Sequence, residues 1–572
     1  MPSAWVIPRA FHATAWILLA VTAATLQSDP TAVRLLHDAH DFRLHDTSSA
    51  MSLYKQVVGM NDTGAAGDAY FALSEISFPS GPLENERAYL DLLTQSAQRG
   101  NPHAQHRLAL VYAVGTIIPD GGANVAKSIV MDTFAASAGH AAASMTLGNR
   151  AMFGSSVPRS CHDALAHYRR AATIAAATMP STPFNFRPAP PPRLAEWSSS
   201  SSSSTFDFHK LVFLASVAQK QRDGTTLVRI AKLLLQPHES MTMQFDNYAL
   251  ARSLLRQALE WGPRERASAL LGLVYAHGWG VDVNATAAHA FFHMSPQDAN
   301  SLHGLGHLSL QAHRTHDALQ HFQAAAKLGH VDAIYQVATL LAATQPQTAT
   351  RYLTAASNSG HVPATFALAR DMNKKINDDK TCSTLVGLYK RVAEGGLDQP
   401  LLALAWAKFL AAEYATSYWL YRLVAQEGYE VAQTNAAWLV REGYVHEHEP
   451  GVVTELLEEA ARQGSGYAQL ELGHMAYAAQ EYDSAMTAYS ALVSKPAFRT
   501  TAVAYKHVAP ALFQMGLMFE MGHGVPLDRA KALDLYTRAS QVERRFQWPV
   551  EMWIWKWWLL DLWAAWVSFC DS

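Results

Sequence analysis

Residues Ala511–Ser540 read ALFQMGLMFEMGHGVPLDRAKALDLYTRAS, and this stretch decides the fold. Apolar residues recur at helical spacing before the turn Gly522–Pro526 and again after it, over Ala532–Ala539. Glycine and proline in the turn interrupt the helix, and Asp528 is placed to cap the second one. The unit is a helix, a turn and a helix of roughly 36 residues, which buries its apolar face only by stacking on further copies.

Further copies are found along the chain. A glycine followed four residues later by alanine marks each repeat frame and predicts the end of one helix and the start of the next. These pairs are Gly100/Ala104, Gly139/Ala143, Gly329/Ala333, Gly360/Ala364, Gly428/Ala432 and Gly464/Ala468. A Leu-Gly or Met-Gly pair recurs in the first helix, with its glycine at Gly148, Gly272, Gly306, Gly473 and Gly516. The sequence therefore predicts an all-α solenoid of helix-turn-helix repeats, in about three blocks.

The composition supports a helical protein and excludes some functions. Of the 572 residues, 49% are hydrophobic and 16% are charged, and the formal net charge is −3. Without a large basic block, the chain lacks the electrostatic footprint of a nucleic-acid binder. Three cysteines, an odd number, are too few for a disulfide framework and say little about the redox compartment.

The predicted organisation has seven parts. Residues 1–24 are interpreted as a secretory signal peptide, because Arg9 precedes a short apolar run and small residues follow it; a mildly apolar N-terminal tail is the alternative. Residues 25–68 are poorly patterned, with a short helix predicted near Ser49–Val58. The other parts are a first repeat block (69–177), a Pro/Ser-rich flexible linker or spacer (178–207), a middle block (208–445), a C-terminal block (452–542) and a Trp-rich tail (547–569).

The tail contains seven tryptophans, a residue that favours membrane interfaces. Glu551, Lys556 and Asp561 recur every five residues, which spreads charge around a helix and argues against both a membrane span and a strongly amphipathic helix. A partner groove, the bilayer surface and a helix that caps the last repeat are the three interpretations. The contact candidates in the tail are Trp553, Trp557 and Leu560.

Other candidate sites are few. Secretory entry would make Asn61 and Asn284, each in an Asn-X-Thr sequon, glycosylation sites. The pairs His289/His293 and His303/His307 are four residues apart, but no cysteine or well-placed carboxylate joins them, so no metal site is predicted. His140, His330 and His361 share one repeat position, which indicates a structural role. No phosphate loop, nucleotide fingerprint or nucleophile motif is present, and neither a cofactor nor enzymatic activity is predicted.

The repeats resemble the Sel-1-like family. The turns at 278–281 (GWGV) and 522–525 (GHGV) match that family, as does Lys531-Ala532 followed by Tyr536. Two segments, 425–437 (AQEGYEVAQTNAA) and 160–168 (SCHDALAHY), are similar to the lumenal adaptors of the HRD ubiquitin-ligase complex. The three-block layout also fits these adaptors.

That resemblance implies a non-catalytic adaptor in ER-associated degradation, on the lumenal side of the ER membrane. The implied partners are a membrane RING ubiquitin ligase, rhomboid-like channel proteins, an ER lectin and misfolded glycoprotein clients, with the bilayer surface as a further contact for the tail. Many such adaptors carry a clear transmembrane helix after the last repeat, whereas this chain has the charged, Trp-rich tail. Tyr429 and Trp438 are additional contact candidates, with a core position as the alternative for each.

Two other functions remain open. One is a secreted or lumenal scaffold unrelated to degradation, which would not associate stably with a membrane ligase. The other is a hydrolase of the kind described for small cysteine-rich Sel-1-like proteins. Those proteins carry a cysteine pair in each repeat, and this chain does not.

Overall fold

The predicted all-α repeat fold is confirmed in a computed structural model of the protein. The structure describes residues 29–43, 46–60, 63–77, 86–115, 122–179, 193–196, 208–235, 244–373, 379–397, 399–446, 451–494, 502–543 and ten positions between 548 and 566. Over these residues it contains 27 α-helices and no strand. They form two compact units, the first of residues 1–112, 124–190 and 198–398 and the second of residues 113–123, 191–197 and 399–572. This division falls at residues 398/399, whereas the predicted middle block extends to 445.

The first nineteen helices run from the N-terminus to the end of the first unit. They are α1 Pro30–Phe42, α2 Thr47–Val58, α3 Thr63–Ser77, α4 Glu86–Gln98, α5 Pro102–Val114, α6 Val125–Ser137, α7 Ala141–Phe153, α8 Cys161–Thr178, α9 Phe208–Gln221, α10 Gly224–Leu235, α11 Gln244–Trp261, α12 Arg264–His277, α13 Ala285–His293, α14 Ala299–Gln311, α15 Thr315–Lys327, α16 Val331–Leu341, α17 Pro346–Asn358, α18 Val362–Asn373 and α19 Asp379–Gly396. Most of them pack on their neighbours in sequence.

The remaining helices belong to the second unit. They are α20 Pro400–Leu410, α21 Tyr414–Gln426, α22 Glu430–Arg441, α23 Val452–Arg462, α24 Gly466–Ala478, α25 Tyr482–Ser494, α26 Ala502–Met521 and α27 Arg529–Val542. The last pair contains the stretch that decides the fold. Its predicted cap is present, because Asp528 Oδ1 accepts a hydrogen bond of 2.9 Å from the backbone N–H of Lys531.

The repeat glycines end helices as predicted. All six have φ between 83° and 99°, the left-handed conformation that glycine adopts without steric cost. The residue after three of these glycines is a histidine that caps the next helix. His140, His330 and His361 each accept a hydrogen bond at Nδ1 from the backbone N–H three residues later. Their predicted structural role is thereby confirmed.

The recurring Leu-Gly and Met-Gly pairs have a second explanation in packing. At Gly148, Gly272, Gly306, Gly473 and Gly516, a Cβ atom would collide with an aromatic ring of the following helix. At Gly516 the nearest atom is in the Tyr536 ring, 2.5 Å from the position that a Cβ would occupy. Glycine at this position therefore lets the ring of the second helix lie directly on the backbone of the first.

The N-terminal segment is more ordered than its sequence pattern predicts. Within the predicted 25–68 segment, the short helix expected near Ser49–Val58 is present as α2, but α1 precedes it and was missed. Pro30 begins α1, and the Asp29 carboxylate caps it. Tyr54 is fully buried and its hydroxyl lies 2.6 Å from His40 Nδ1. Residues 30–58 are therefore not poorly patterned. A short apolar stripe and one cap are enough to form α1, because α2 packs over that stripe.

One helix pair in the first unit breaks the sequential stacking. α8 packs along α19, and a disulfide joins Cys161 at the start of α8 to Cys382 in the first turn of α19. The two cysteines are 221 residues apart in sequence. Composition alone gave no reason to expect this bond, because three cysteines in 572 residues indicate no pairing.

Part of the predicted flexible linker is packed. Arg193 forms a two-armed ion pair with Glu430, at 2.8 and 2.6 Å, and the backbone N–H of Leu194 donates to Asn435 Oδ1 at 2.9 Å. Leu194 is fully buried and begins a short 3-10 turn, Leu194–Glu196. The interpretation as a free spacer is therefore wrong for these four residues. The serine run lies outside the described residues.

Candidate interaction surfaces and histidine cluster

The Trp-rich tail presents an apolar surface. Its described positions are all helical and exposed, and eight of them are large apolar residues with 47–75% exposure. They are Trp548, Met552, Trp555, Trp558, Leu559, Leu562, Trp563 and Trp566. We call this set the tail surface. Successive members are one, three or four positions apart, and this spacing places them on one broad side of a helix.

This exposure bears on the three interpretations of the tail. A helix that caps the last repeat buries one side only, and the tail surface is the exposed side of the described tail residues. One contact with the repeats is an ion pair of 3.3 Å between Lys556 and Glu520 of α26. Trp553, Trp557 and Leu560, the predicted contacts, lie outside the described residues. Among the helices that the structure describes, none is both long and apolar enough to cross a membrane.

The aromatic candidates of the second unit differ in exposure. Tyr429 is 5% exposed and its hydroxyl meets Gln399, so it belongs to the core and is unsuited to direct contact with a partner. Trp438 is half-buried and stacks on Tyr444 with ring centroids 5.3 Å apart. Tyr444 is itself exposed and also contacts Tyr414. Trp438 therefore remains a contact candidate as part of an aromatic patch.

One of the two sequons is accessible. Asn284 is exposed and caps α13, accepting at Oδ1 from the backbone N–H of Ala287 and from the Thr286 hydroxyl, both at 2.9 Å. Both hydrogen bonds use the amide oxygen and not the nitrogen to which a glycan is attached. Asn61 lies outside the described residues.

The structure adds a carboxylate to one of the two histidine pairs. His303 and His307 of α14 converge on Asp332 in the first turn of α16. His303 Nε2 lies 2.5 Å from Asp332 Oδ2 and 3.1 Å from His307 Nε2, and His307 Nε2 is 3.9 Å from the same oxygen. His361 Nε2 is 3.2 Å from the other oxygen, Oδ1. We call these four residues the histidine cluster.

Burial sets the protonation of this cluster. Desolvation lowers the pKa of His303, although the Asp332 carboxylate opposes that shift. Burial alone would raise the pKa of Asp332, but the hydrogen bonds from His303 and His361, together with the neighbouring His307, hold it far below its ordinary value. Asp332 is therefore ionised at pH 7.

Among the described residues, no carboxylate joins the other pair in such a group. His289 and His293 lie on exposed positions of α13, with their Nε2 atoms 3.2 Å apart. Over the part of the chain that the structure describes, His303, His307 and Asp332 are the one group of three potential metal-ligating residues whose donor atoms meet within 4.8 Å. Sequence reasoning found the His303/His307 pair but missed Asp332, although Asp332 follows the repeat histidine His330 by two residues.

The fold and these surfaces define the chain as an α-helical repeat protein without a recognisable catalytic constellation among its described residues. The Sel1 repeat family model matches residues 102–125, 141–173, 266–295, 302–330 and 509–541. The protein therefore contains Sel1 repeats, in agreement with the resemblance of its turns.

Curated relatives share part of this chain. Protein sel-1 homolog 2 of Homo sapiens is 33% identical over 187 residues, which are 30% of this chain and 25% of that protein. The ERAD-associated E3 ubiquitin-protein ligase component HRD3 of Candida glabrata is 24% identical over 227 residues, 38% of this chain and 26% of the relative. HRD3B of Arabidopsis thaliana is 28% identical over 174 residues, 28% of this chain and 27% of the relative. The matches thus span about a quarter of each relative's length.

Solved structures also match much of this chain. The Escherichia coli antigen c5321, which displays an SLR fold, covers 81% of this chain and 90% of its own at 18% identity and a TM-score of 0.26. Yeast Tom70 covers 86% of this chain and 98% of its own at 13% identity and a TM-score of 0.25. Scores this low define no further relationship.

Proposed function

We propose that the protein is a non-catalytic adaptor of an ER-associated degradation ubiquitin-ligase complex, located on the lumenal side of the ER membrane. The similarity to the HRD3 proteins carries this proposal, because their names assign them to such a ligase. The Cys161–Cys382 disulfide supports the location, since structural disulfides persist in oxidising compartments such as the ER lumen.

In this proposal the repeats supply binding surfaces and no chemistry. Stacked helix pairs present grooves that can hold extended polypeptide, as other helical-repeat proteins do. The partners would be a membrane RING ubiquitin ligase, rhomboid-like channel proteins, an ER lectin and misfolded glycoprotein clients. The tail surface would dock on the ligase partners or on the lumenal bilayer surface, because tryptophan is suited to both settings.

The tail provides the decisive experiment. Full-length protein, isolated in mild detergent from cells that naturally produce it, is expected to carry a RING ligase identified by mass spectrometry. A chain ending at Val542, and a full-length triple variant Trp555→Ala, Trp563→Ala and Trp566→Ala, should recover at least tenfold less ligase. The physical reason is the loss of exposed apolar area that becomes buried on docking.

A matched control uses exposed apolar residues outside the tail. Leu527→Ala and Val283→Ala remove side chains of similar exposure and should leave ligase recovery unchanged. Equal recovery by the truncated chain would retain the adaptor and reject the role of the tail. If the full chain recovers no ligase and appears in the medium, the adaptor proposal fails and the secreted or lumenal scaffold takes its place.

We also propose that Asn284 carries a glycan, which ER entry would allow. Thr286→Val removes the sequon but keeps the Asn284 cap, whereas Asn284→Gln removes both. In an Asn61→Gln background, which removes the other sequon, both variants should lose the electrophoretic shift that an endoglycosidase produces. Asn284→Gln should also be less stable by about 0.5–2 kcal/mol, because it loses a helix cap. If the Asn61→Gln chain, which keeps only the Asn284 sequon, shows no shift, the assignment is wrong.

A further inference from the structure

We infer that His303, His307 and Asp332 form a zinc-binding site in the first unit, which ties α14 to α16. No sequence motif indicated it, because its carboxylate comes from a different helix. The inference does not depend on the proposed adaptor function.

The first support is the size of the donor triangle. Zinc holds imidazole nitrogens and carboxylate oxygens at about 2.0–2.2 Å in a tetrahedral arrangement, so neighbouring donor atoms lie about 3.3 Å apart. The three donor separations are 2.5, 3.1 and 3.9 Å. They bracket that value, and changes below 1 Å would equalise them.

The second support is the count of protons. His303 Nε2 carries at most one proton, so it can form a full hydrogen bond with only one of its two neighbours, Asp332 Oδ2 or His307 Nε2. If it donates to Asp332, the contact with His307 has no proton. If it accepts from His307, its lone pair faces a carboxylate oxygen 2.5 Å away. A divalent cation removes this conflict, because the two Nε2 atoms and Asp332 Oδ2 then all direct lone pairs at the same positive charge.

The third support is the way the carboxylate is held. His361 Nδ1 accepts from the backbone N–H of Ala364 at 3.1 Å, so the proton of the neutral ring lies on Nε2. That N–H points to Asp332 Oδ1 at 3.2 Å and leaves Oδ2 for the two histidines of α14. Ligating carboxylates are commonly fixed by such an outer hydrogen bond.

The surroundings leave one side open. The side chains of His303 and Asp332 are 1% and 12% exposed, whereas that of His307 is 31% exposed. An ion can therefore enter past His307, and water can supply the fourth ligand. Two imidazoles and one carboxylate suit a borderline divalent metal such as Zn²⁺. They suit Mg²⁺ and Ca²⁺ less well, because these ions prefer oxygen ligands only.

The test measures zinc binding by the full-length protein. After removal of metal with a chelator, calorimetric titration with Zn²⁺ should show one high-affinity site per chain, and Mg²⁺ should not compete. Asp332→Asn, which keeps the shape of the side chain, and His307→Ala should each weaken Zn²⁺ binding more than 100-fold. His361→Phe should weaken Zn²⁺ binding by about 10–100-fold, the usual effect of removing a residue that hydrogen-bonds to a metal ligand.

The exposed pair supplies a matched control, because His289 and His293 have the same helical spacing without a carboxylate. The double variant His289→Ala/His293→Ala should keep the full affinity. A second measurement needs no variant: Co²⁺ on the wild type should give the intense visible absorption of four-coordinate cobalt. If Asp332→Asn binds zinc as tightly as the wild type, if the control variant loses the site, or if Co²⁺ gives only a weak six-coordinate spectrum, the inference is wrong.

Discussion

Removal of the Cys161–Cys382 disulfide is expected to destabilise the first unit by about 2–5 kcal/mol, the usual cost of losing a native disulfide. The bond spans 221 residues, and cross-linking so long a loop restricts the unfolded chain strongly in the chain-entropy account. It also fastens α8 to α19, two helices that are far apart in the sequence. The double variant Cys161→Ser/Cys382→Ala should therefore melt several degrees below the wild type.

The measurement is thermal unfolding with and without a reductant. Reductant should lower the melting temperature of the wild type to that of the double variant and leave the variant unchanged, which separates loss of the bond from changed packing around the buried Cys382. Cys570→Ser is the control, since it leaves Cys161 and Cys382 in place. Three free thiols in the unreduced wild type, with no effect of reductant, would contradict the expected bond.

Substitution of Gly516 by alanine is expected to cost about 1–3 kcal/mol, the range for overpacked cores. The added Cβ would lie 2.5 Å from the Tyr536 ring. That ring cannot move aside easily, because Tyr536 is fully buried, its hydroxyl donates to Glu520 at 2.8 Å, and Phe513 packs on it with ring centroids 5.0 Å apart.

The matched control is Gly387→Ala in α19. Gly387 also lies within a helix, but a Cβ there would meet nothing within 4 Å. Alanine favours a helix over glycine by about 1 kcal/mol, so this variant should be neutral or stabilising. Hydrogen exchange of α26 and α27 is the suitable readout, because it reports the local unit without requiring two-state unfolding of the whole chain. Equal protection in both variants would show that the glycine–ring contact is unimportant.

The sequence predicted what depends on neighbours along the chain. The left-handed glycines, the Asp528 cap and the second-helix aromatic Tyr536 all act within one repeat of roughly 36 residues, so their spacing is visible in one dimension. The same holds for the histidine caps, whose partner atoms lie three residues away. Local spacing thus accounts for the helices and for the class of fold.

What the sequence did not predict depends on distant contacts. Nothing in the spacing of Cys161 and Cys382 indicates that α8 packs on α19, because that pairing skips ten helices. Asp332 reaches His303 across one repeat, and only the folding of the repeats brings these two side chains together. Arg193 and Leu194 sit among prolines and serines that predict a spacer, and their anchor on α22 is more than 200 residues away.

The pairing of α8 with α19 has a consequence for the order in which the protein is made. A ribosome adds about 5–20 residues per second, so Cys161 emerges roughly 10–45 seconds before Cys382. During that interval the side of α8 that α19 covers is unprotected, and the Cys161 thiol has no native partner. The nascent chain therefore depends on its compartment to shield an apolar helix and to delay oxidation until ten more helices have been synthesised.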